Sequence, residues 1–194
     1  MSRPKKRNKN YTSELNYKVY KNFLPKKLFT DIVDIHQGVK NTFSFPWFYS
    51  GTVGYKNEKK LTKIDKLNNF YFSSLIYENG KALSPHFNLL KNILNYIPDF
   101  KQLIRIKSNL YTNLNRVYEH TPHIDKNEPH KTLILYLNTC NGFTRLQDNT
   151  IIKSIANNAV ILDGNIYHNS STASDKAIRL TINVNYKSSQ ELEV

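Results

Sequence analysis

The chain has 194 residues, a formal net charge of +13 at pH 7, a single cysteine and 39 % apolar residues. That length predicts one domain around one core, the lone Cys140 excludes an internal disulfide, and no apolar leader follows the opening Met-Ser-Arg-Pro-Lys-Lys-Arg. No run approaches the roughly 18 apolar residues of a membrane span, so the expectation is a soluble, folded, cytoplasmic protein with no membrane partner.

Much of the charge lies at the start of the chain. Residues 1–27 carry nine Lys and Arg against Glu14 alone, a net +8, whereas Ser108 to Tyr186 carries +1. Residues 1–12 read as a basic, flexible arm, suited either to weak, salt-sensitive contact with nucleic acid or simply to solvation. Residues 13–194 then read as one domain, with helical support over 13–100 and a β-rich core over 101–187.

Leu24 to Val39 predicts a helix: Pro25 suits the first turn, Leu28, Phe29, Ile32, Val33 and Ile35 or His36 recur at helical spacing, and Gly38 ends it. Phe43 to Tyr55 is an aromatic loop or extended segment that reads as core or lid packing. Ser84 to Tyr96 predicts a second helix, with Ser84 as N-cap, Phe87, Leu90, Ile93, Leu94 and Ile97 as its apolar stripe, and Pro98 as its stop. After Lys101 come short β-type runs at Leu103 to Tyr111, Asn115 to His120, Lys131 to Leu137, Thr150 to Ile155, Ala159 to Leu162 and Lys176 to Tyr186. Helices followed by many short strands predict a mainly β fold, a sandwich or jelly roll with N-terminal helices packed on one face. In the last run Ile178, Leu180, Ile182, Val184 and Tyr186 alternate with Arg179, Thr181, Asn183 and Asn185, so one face is apolar and the other polar.

Among six histidines, His123-Ile124-Asp125 has the informative spacing. On an extended segment residues i and i+2 point the same way, so an imidazole and a carboxylate converge. His168, just after the apolar run Ala159 to Leu162, is the candidate third ligand. Two histidines and a carboxylate on one side of a metal leave the opposite positions open, the arrangement used by non-haem Fe(II) oxygenases. Arg179 follows on the polar face of the last run, where a bidentate bond to a ligand carboxylate is one reason for its presence and an internal Asp or Glu is another. His120 and His130 have no acidic residue two places on and read as surface or substrate-side residues.

The ordered combination His123-x-Asp125, Thr132-Leu-Ile-Leu-Tyr-Leu-Asn138, Asn141-Gly142-Phe-Thr, His168 and Arg179-x-Thr181 resembles the 2-oxoglutarate and Fe(II)-dependent dioxygenases, in particular their prolyl-4-hydroxylase-like branch, and is similar to small members encoded by bacteriophages. The resemblance spans Leu103 to Tyr186. It implies a double-stranded β-helix of the jelly-roll, cupin-like kind, with His123, Asp125 and His168 holding Fe(II) and Arg179 on the distal carboxylate of 2-oxoglutarate. It further implies Tyr136 beside that carboxylate, Tyr111 toward the proximal end, Thr181 as the hydroxyl residue two places after the arginine that contacts the co-substrate, and Asn109 as an additional contact. The implied reaction is O2-dependent decarboxylation of 2-oxoglutarate to succinate and CO2, coupled to hydroxylation of a substrate C–H. A protein or peptide side chain such as proline is the substrate class the resemblance favours, with nucleic acid and small molecules as other candidates. Two departures stand out, Asn141-Gly142-Phe143 for the usual Gly-Gly and Tyr111-Thr-Asn-Leu for Tyr-x-x-Gly. The alternative readings are a basic nucleic-acid-binding module and a jelly-roll structural protein without catalysis.

Overall fold

A computed structural model describes residues 16–38, 45–54 and 62–189. The basic arm, Phe43 and Ser44, and Tyr55 at the end of the aromatic segment lie outside the described residues.

An antiparallel sheet of eight strands forms the frame. Its strands are β1 (Tyr17–Tyr20), β2 (Phe48–Ser50), β3 (Tyr71–Glu78), β4 (Lys81–Ala82), β5 (Phe100–Thr112), β6 (Lys131–Tyr136), β9 (Ala159–Asp163) and β11 (Ile178–Ser188). They are ordered β1-β9-β6-β11-β5-β3-β2, with β4 beside β3. A smaller antiparallel sheet orders β10 (His168–Ser170), β7 (Phe143–Leu146) and β8 (Ile151–Lys153). The region before residue 101 thus supplies strands β1 to β4 as well as helices.

Alternation along the central strands places a core on each side of the large sheet. Leu133 and Leu135 of β6, with Leu180, Ile182 and Val184 of β11, face the helical side and meet Ile32, Leu90 and Ile93. Ile134 and Tyr136 of β6 face the small sheet and pack with Leu146, Ile152, Val160 and Leu162. Strand β6 is therefore buried on both faces, and the polar residues of β11 fall on the side between the sheets.

Helix α1 (Lys26–Gln37) matches its expected extent closely. Pro25 holds the N-cap at φ −54°, and Gly38 closes the C-terminus at φ +69°, its N–H donating to Asp34 O. Its inner face buries Ile32 and His36; the two His36 nitrogens bond Ile32 O at 2.7 Å and Ser108 Oγ at 2.8 Å. Phe45 stacks on His36 at 4.1 Å and Trp47 packs beside it, so this part of the aromatic segment is core.

Two expected elements differ. Ser84 to Tyr96 is not a continuous α-helix but a short α3 (Phe87–Leu90) running into a 3₁₀ turn (Lys91–Tyr96), following a six-residue α2 (Lys63–Asn68). Leu90 and Ile93, both fully buried, lie three apart, which a 3₁₀ turn places on one face; Asn92 draws its side chain onto the Asn88 and Leu89 carbonyls. Asn115 to His120 forms no strand. Instead Glu119 and His123 make single antiparallel bridges to Ser171 and His168, so this segment lines the edge of the small sheet at β10.

Candidate metal centre

The edge pairing creates the site. His123 N–H donates to His168 O at 2.9 Å, and His168 N–H donates back to His123 O at 3.0 Å. Residues that exchange both backbone bonds across antiparallel strands sit opposite one another with side chains on the same side, and the two imidazoles meet at 4.9 Å between ring centroids. Asp125, two residues on, turns its carboxylate to the same place. One ligand atom from each of His123, Asp125 and His168 lies within 4.8 Å of the others.

The protonation pattern suits metal binding. His123 Nδ1 donates to Thr121 O at 3.2 Å and His168 Nδ1 to Ile166 O at 3.1 Å. Carbonyls only accept, so both Nδ1 atoms carry the proton and both Nε2 atoms present a lone pair. His168 Nε2 is buried and makes no hydrogen bond. Burial, then the neighbouring His168, lowers His123 to about 4, so it is neutral at physiological pH. Burial alone would raise the Asp125 carboxyl, but Arg105, with His168, Lys107 and His123, holds it well below the usual carboxylate range.

Asp125 is gripped by the large sheet. Asn185 Nδ2 donates to its Oδ2 at 2.9 Å and Asn183 Nδ2 at 3.4 Å, while Arg105 Nη2 lies 3.0 Å from Oδ1 as an ion pair without hydrogen-bond alignment. Asn185 is itself fixed by Thr132 Oγ1 at 2.9 Å and by Arg105 Nε at 2.8 Å.

Arg179 lies in a narrow inner cleft with His123 and His168. It is fully buried, and among the described residues it has no carboxylate partner. Its Nη1 donates to Ser171 O and its Nη2 to Thr144 Oγ1, both at 3.2 Å, and its Nε is unpaired. The guanidinium is held between two phenol rings, Tyr111 at 5.3 Å and Tyr136 at 5.6 Å. Tyr136 Oη donates to Thr144 Oγ1 at 3.0 Å, so it reaches Arg179 through that hydroxyl. Burial pushes the Tyr111 phenol up to about 12 and raises that of Tyr136, leaving both as proton-bearing donors. A buried cation without a counterion is costly, and an incoming carboxylate relieves that cost.

Asn109 Nδ2 donates to Thr181 Oγ1 at 3.3 Å and Asn183 Oδ1 at 3.1 Å, so Asn109 and Thr181 sit between the arginine cleft and the Asp125 grip. All eight candidate residues are therefore brought to the space between the sheets. His120 and His130 correct the expectation of surface or substrate-side positions: each is only 2 % exposed, with Nδ1 on Ser170 O and Glu128 O respectively, and neither joins the triad. Asn183 and Asn185 join the site from the polar face of β11, Arg105 and Thr144 join it without having been singled out, and Lys107, also not singled out, lines the cavity outside it. Arg105 and Lys107 share the i, i+2 phase of Asn109 and Tyr111, a signal available in the sequence.

No family model and no curated protein matches the sequence. Solved structures do match. A Pseudomonas putida prolyl-4-hydroxylase aligns over 90 % of this chain and 94 % of its own at 14 % identity and TM-score 0.57. A Trichoplax adhaerens prolyl hydroxylase, in complex with a hypoxia inducible factor oxygen degradation domain peptide fragment, aligns over 92 % and 86 % at 13 % identity and TM-score 0.58. The epimerase SnoN, in complex with Fe3+, alpha ketoglutarate and nogalamycin RO, aligns over 90 % and 79 % at 9 % identity and TM-score 0.60. The chain thus has the fold of the 2-oxoglutarate/Fe(II) oxygenases. Among the described residues no helix is long and apolar enough to cross a membrane.

Proposed function

We propose that this protein is an Fe(II)- and 2-oxoglutarate-dependent oxygenase that couples O2-dependent decarboxylation of 2-oxoglutarate to hydroxylation of a substrate C–H. The carrying observation is the meeting of two imidazole Nε2 atoms and the Asp125 carboxylate beside Arg179, a buried cation lacking a carboxylate partner among the described residues. His123, Asp125 and His168 hold the metal, two neutral nitrogens and one anion that leave its other side open. When bound, Fe(II) and 2-oxoglutarate supply the oxidation of the C–H bond.

The chain's residues supply orientation and dryness. Arg179 takes the distal carboxylate in a charge-assisted pair, with Thr144, Tyr136 and Thr181 completing the polar wall. The inner cleft has only about 20 Å³ of free space, so the bonds from Arg179 to Thr144 and Ser171 give way as the co-substrate enters. Asn183, Asn185 and Arg105 fix the Asp125 carboxylate so that it meets the metal in one orientation. Ile134 walls the cleft with apolar surface. The substrate is a protein or peptide side chain, as in the prolyl hydroxylase neighbours, or a small molecule.

Anaerobic addition of Fe(II) and 2-oxoglutarate is expected to give a weak visible charge-transfer band, and aerobic addition to yield succinate. His123→Ala and His168→Ala each abolish both. An intact protein that gives neither band nor succinate overturns the assignment.

A further inference from the structure

Outside the metal centre opens a cavity of about 440 Å³, the size of a small-molecule site. Three charged residues line it: Arg105, Asp125 and Lys107. Arg105 is directed at Asp125 at 3.0 Å and donates from Nε to Asn185 Oδ1 at 2.8 Å, which leaves Lys107 as the cation facing the cavity. Lys107 Nζ donates to Tyr71 Oη at 3.2 Å and lies 5.3 Å from the Tyr71 ring centroid; among the described residues it has no carboxylate partner. Glu78, whose carboxyl feels Lys107, is taken by Lys126 at 2.8 Å.

The sheet register separates this cation from the arginine cleft. Lys107 pairs with Asn183 and Tyr111 with Arg179, so Lys107 stands four residues along β11 from Arg179, about 13 Å of strand. Asp125, held by Asn183 and Asn185, stands at the level of Lys107, whose charge it feels, so Lys107 flanks the triad on the side away from Arg179. A 2-oxoglutarate bound between Arg179 and the metal would commit one carboxylate to the arginine and the other to the metal. The remaining cation therefore serves another anion.

We infer that the substrate carries a carboxylate and that Lys107, backed by Tyr71, is the residue that binds it. This rests on the oxygenase reading for the role of the cavity as the substrate site. One ammonium and one phenol match a monoanion; a phosphate dianion is usually met by an arginine fork, and the arginine of this wall, Arg105, is turned to Asp125 and Asn185. Val53, Tyr71 and Pro122 give the rest of the wall apolar surface for a residue-sized body.

The test uses the full chain with Mn(II) and 2-oxoglutarate, and titrates N-acetyl amino acids against their amides by calorimetry. The acids are expected to bind about tenfold tighter or more. Lys107→Met erases the difference, Lys107→Arg keeps it, and both retain the affinity for 2-oxoglutarate. Short peptides with free or amidated C-termini distinguish a peptide carboxyl from a free acid. An acid–amide ratio near one for every pair in the unaltered protein overturns the inference, as does tighter, Lys107-dependent binding of phosphate esters. Weakened 2-oxoglutarate binding in Lys107→Met also overturns it, because Lys107 then serves the co-substrate. The acid–amide comparison is repeated without metal: failure of the unaltered protein to bind 2-oxoglutarate defeats the oxygenase reading, while the ratio still decides the role of Lys107.

Discussion

Arg105 Nη2 lies 3.0 Å from Asp125 Oδ1, the same oxygen that stands 3.8 Å from His123 Nε2. The guanidinium thus occupies the side of the carboxylate where a metal also draws charge. Without metal it neutralises a carboxylate only 3 % exposed; with metal it is a nearby like charge. Arg105→Met is expected to lower the stability of the metal-free protein by about 3 kcal/mol, the usual cost of leaving a buried charge unpaired, or roughly 6–12 °C in melting temperature. The same variant gains a larger melting shift from Mn(II) than the unaltered protein. Equal Mn(II) shifts in the two proteins would show that Arg105 and the metal do not compete.

Gly142 bears on Arg179 from the opposite wall. A Cβ at this position would stand 2.6 Å from Arg179 Cδ and 2.8 Å from Thr172 O. The carbonyl is backbone and cannot swing away, so Gly142→Ala displaces the arginine. The expected result is a rise of about tenfold or more in the KM for 2-oxoglutarate, with the metal-induced melting shift preserved. Initial rates across 2-oxoglutarate concentrations check this, and an unchanged KM refutes it.

Much of the site was legible because its residues are fixed by short-range geometry. His123 and Asp125 converge through a two-residue period, and the polar face carrying Arg179, Thr181, Asn183 and Asn185 follows from alternation along one strand. Arg105 and Lys107 carry the same alternation on β5, but their importance depends on β5 pairing with β11 in a register that puts Arg105 opposite Asn185. That register is a long-range fact. The same reason hid β7 and β10: three- and four-residue strands have little periodicity of their own and form because neighbours complete their hydrogen bonds. The segment at Asn115 to His120 shows the converse, a β-prone run held by bridges instead of a full ladder. His120 and His130 were misplaced because one histidine reads alike at a surface and in a core.

Gly54 lies against the outside of His123. A Cβ there would stand 2.2 Å from His123 Nδ1, and the residue's φ of +64° strains any L side chain. Gly54→Ala therefore pushes the ring off its Thr121 bond and is expected to weaken apparent metal affinity about tenfold. Gly80→Ala is the matched control, with φ +87° and no atom within 4 Å of the added Cβ; it bears the backbone strain without touching the site. Melting curves over a Mn(II) series separate the two, and equal metal affinities would exclude the proposed contact.

The fold also carries an acid sensitivity remote from the metal. Burial lowers His36 from 6.5 to about 4, outweighing its bond to Ile32 O, with His86 adding to the lowering. In the unfolded chain the same imidazole takes up a proton near 6.5. Above that pH neither state is protonated and the stabilising contribution is complete. Between 6.5 and 4 the unfolded chain holds the extra proton, so stability falls as pH falls, by about 1.4 kcal/mol per unit for this group. Burial also lowers His120, to about 3, which steepens the same decline. His36→Gln keeps a polar partner for Ser108 but does not titrate, so its stability, measured by urea unfolding from pH 7 to pH 4.5, is expected to fall less steeply. Parallel pH profiles for the variant and the unaltered protein would place the acid sensitivity elsewhere.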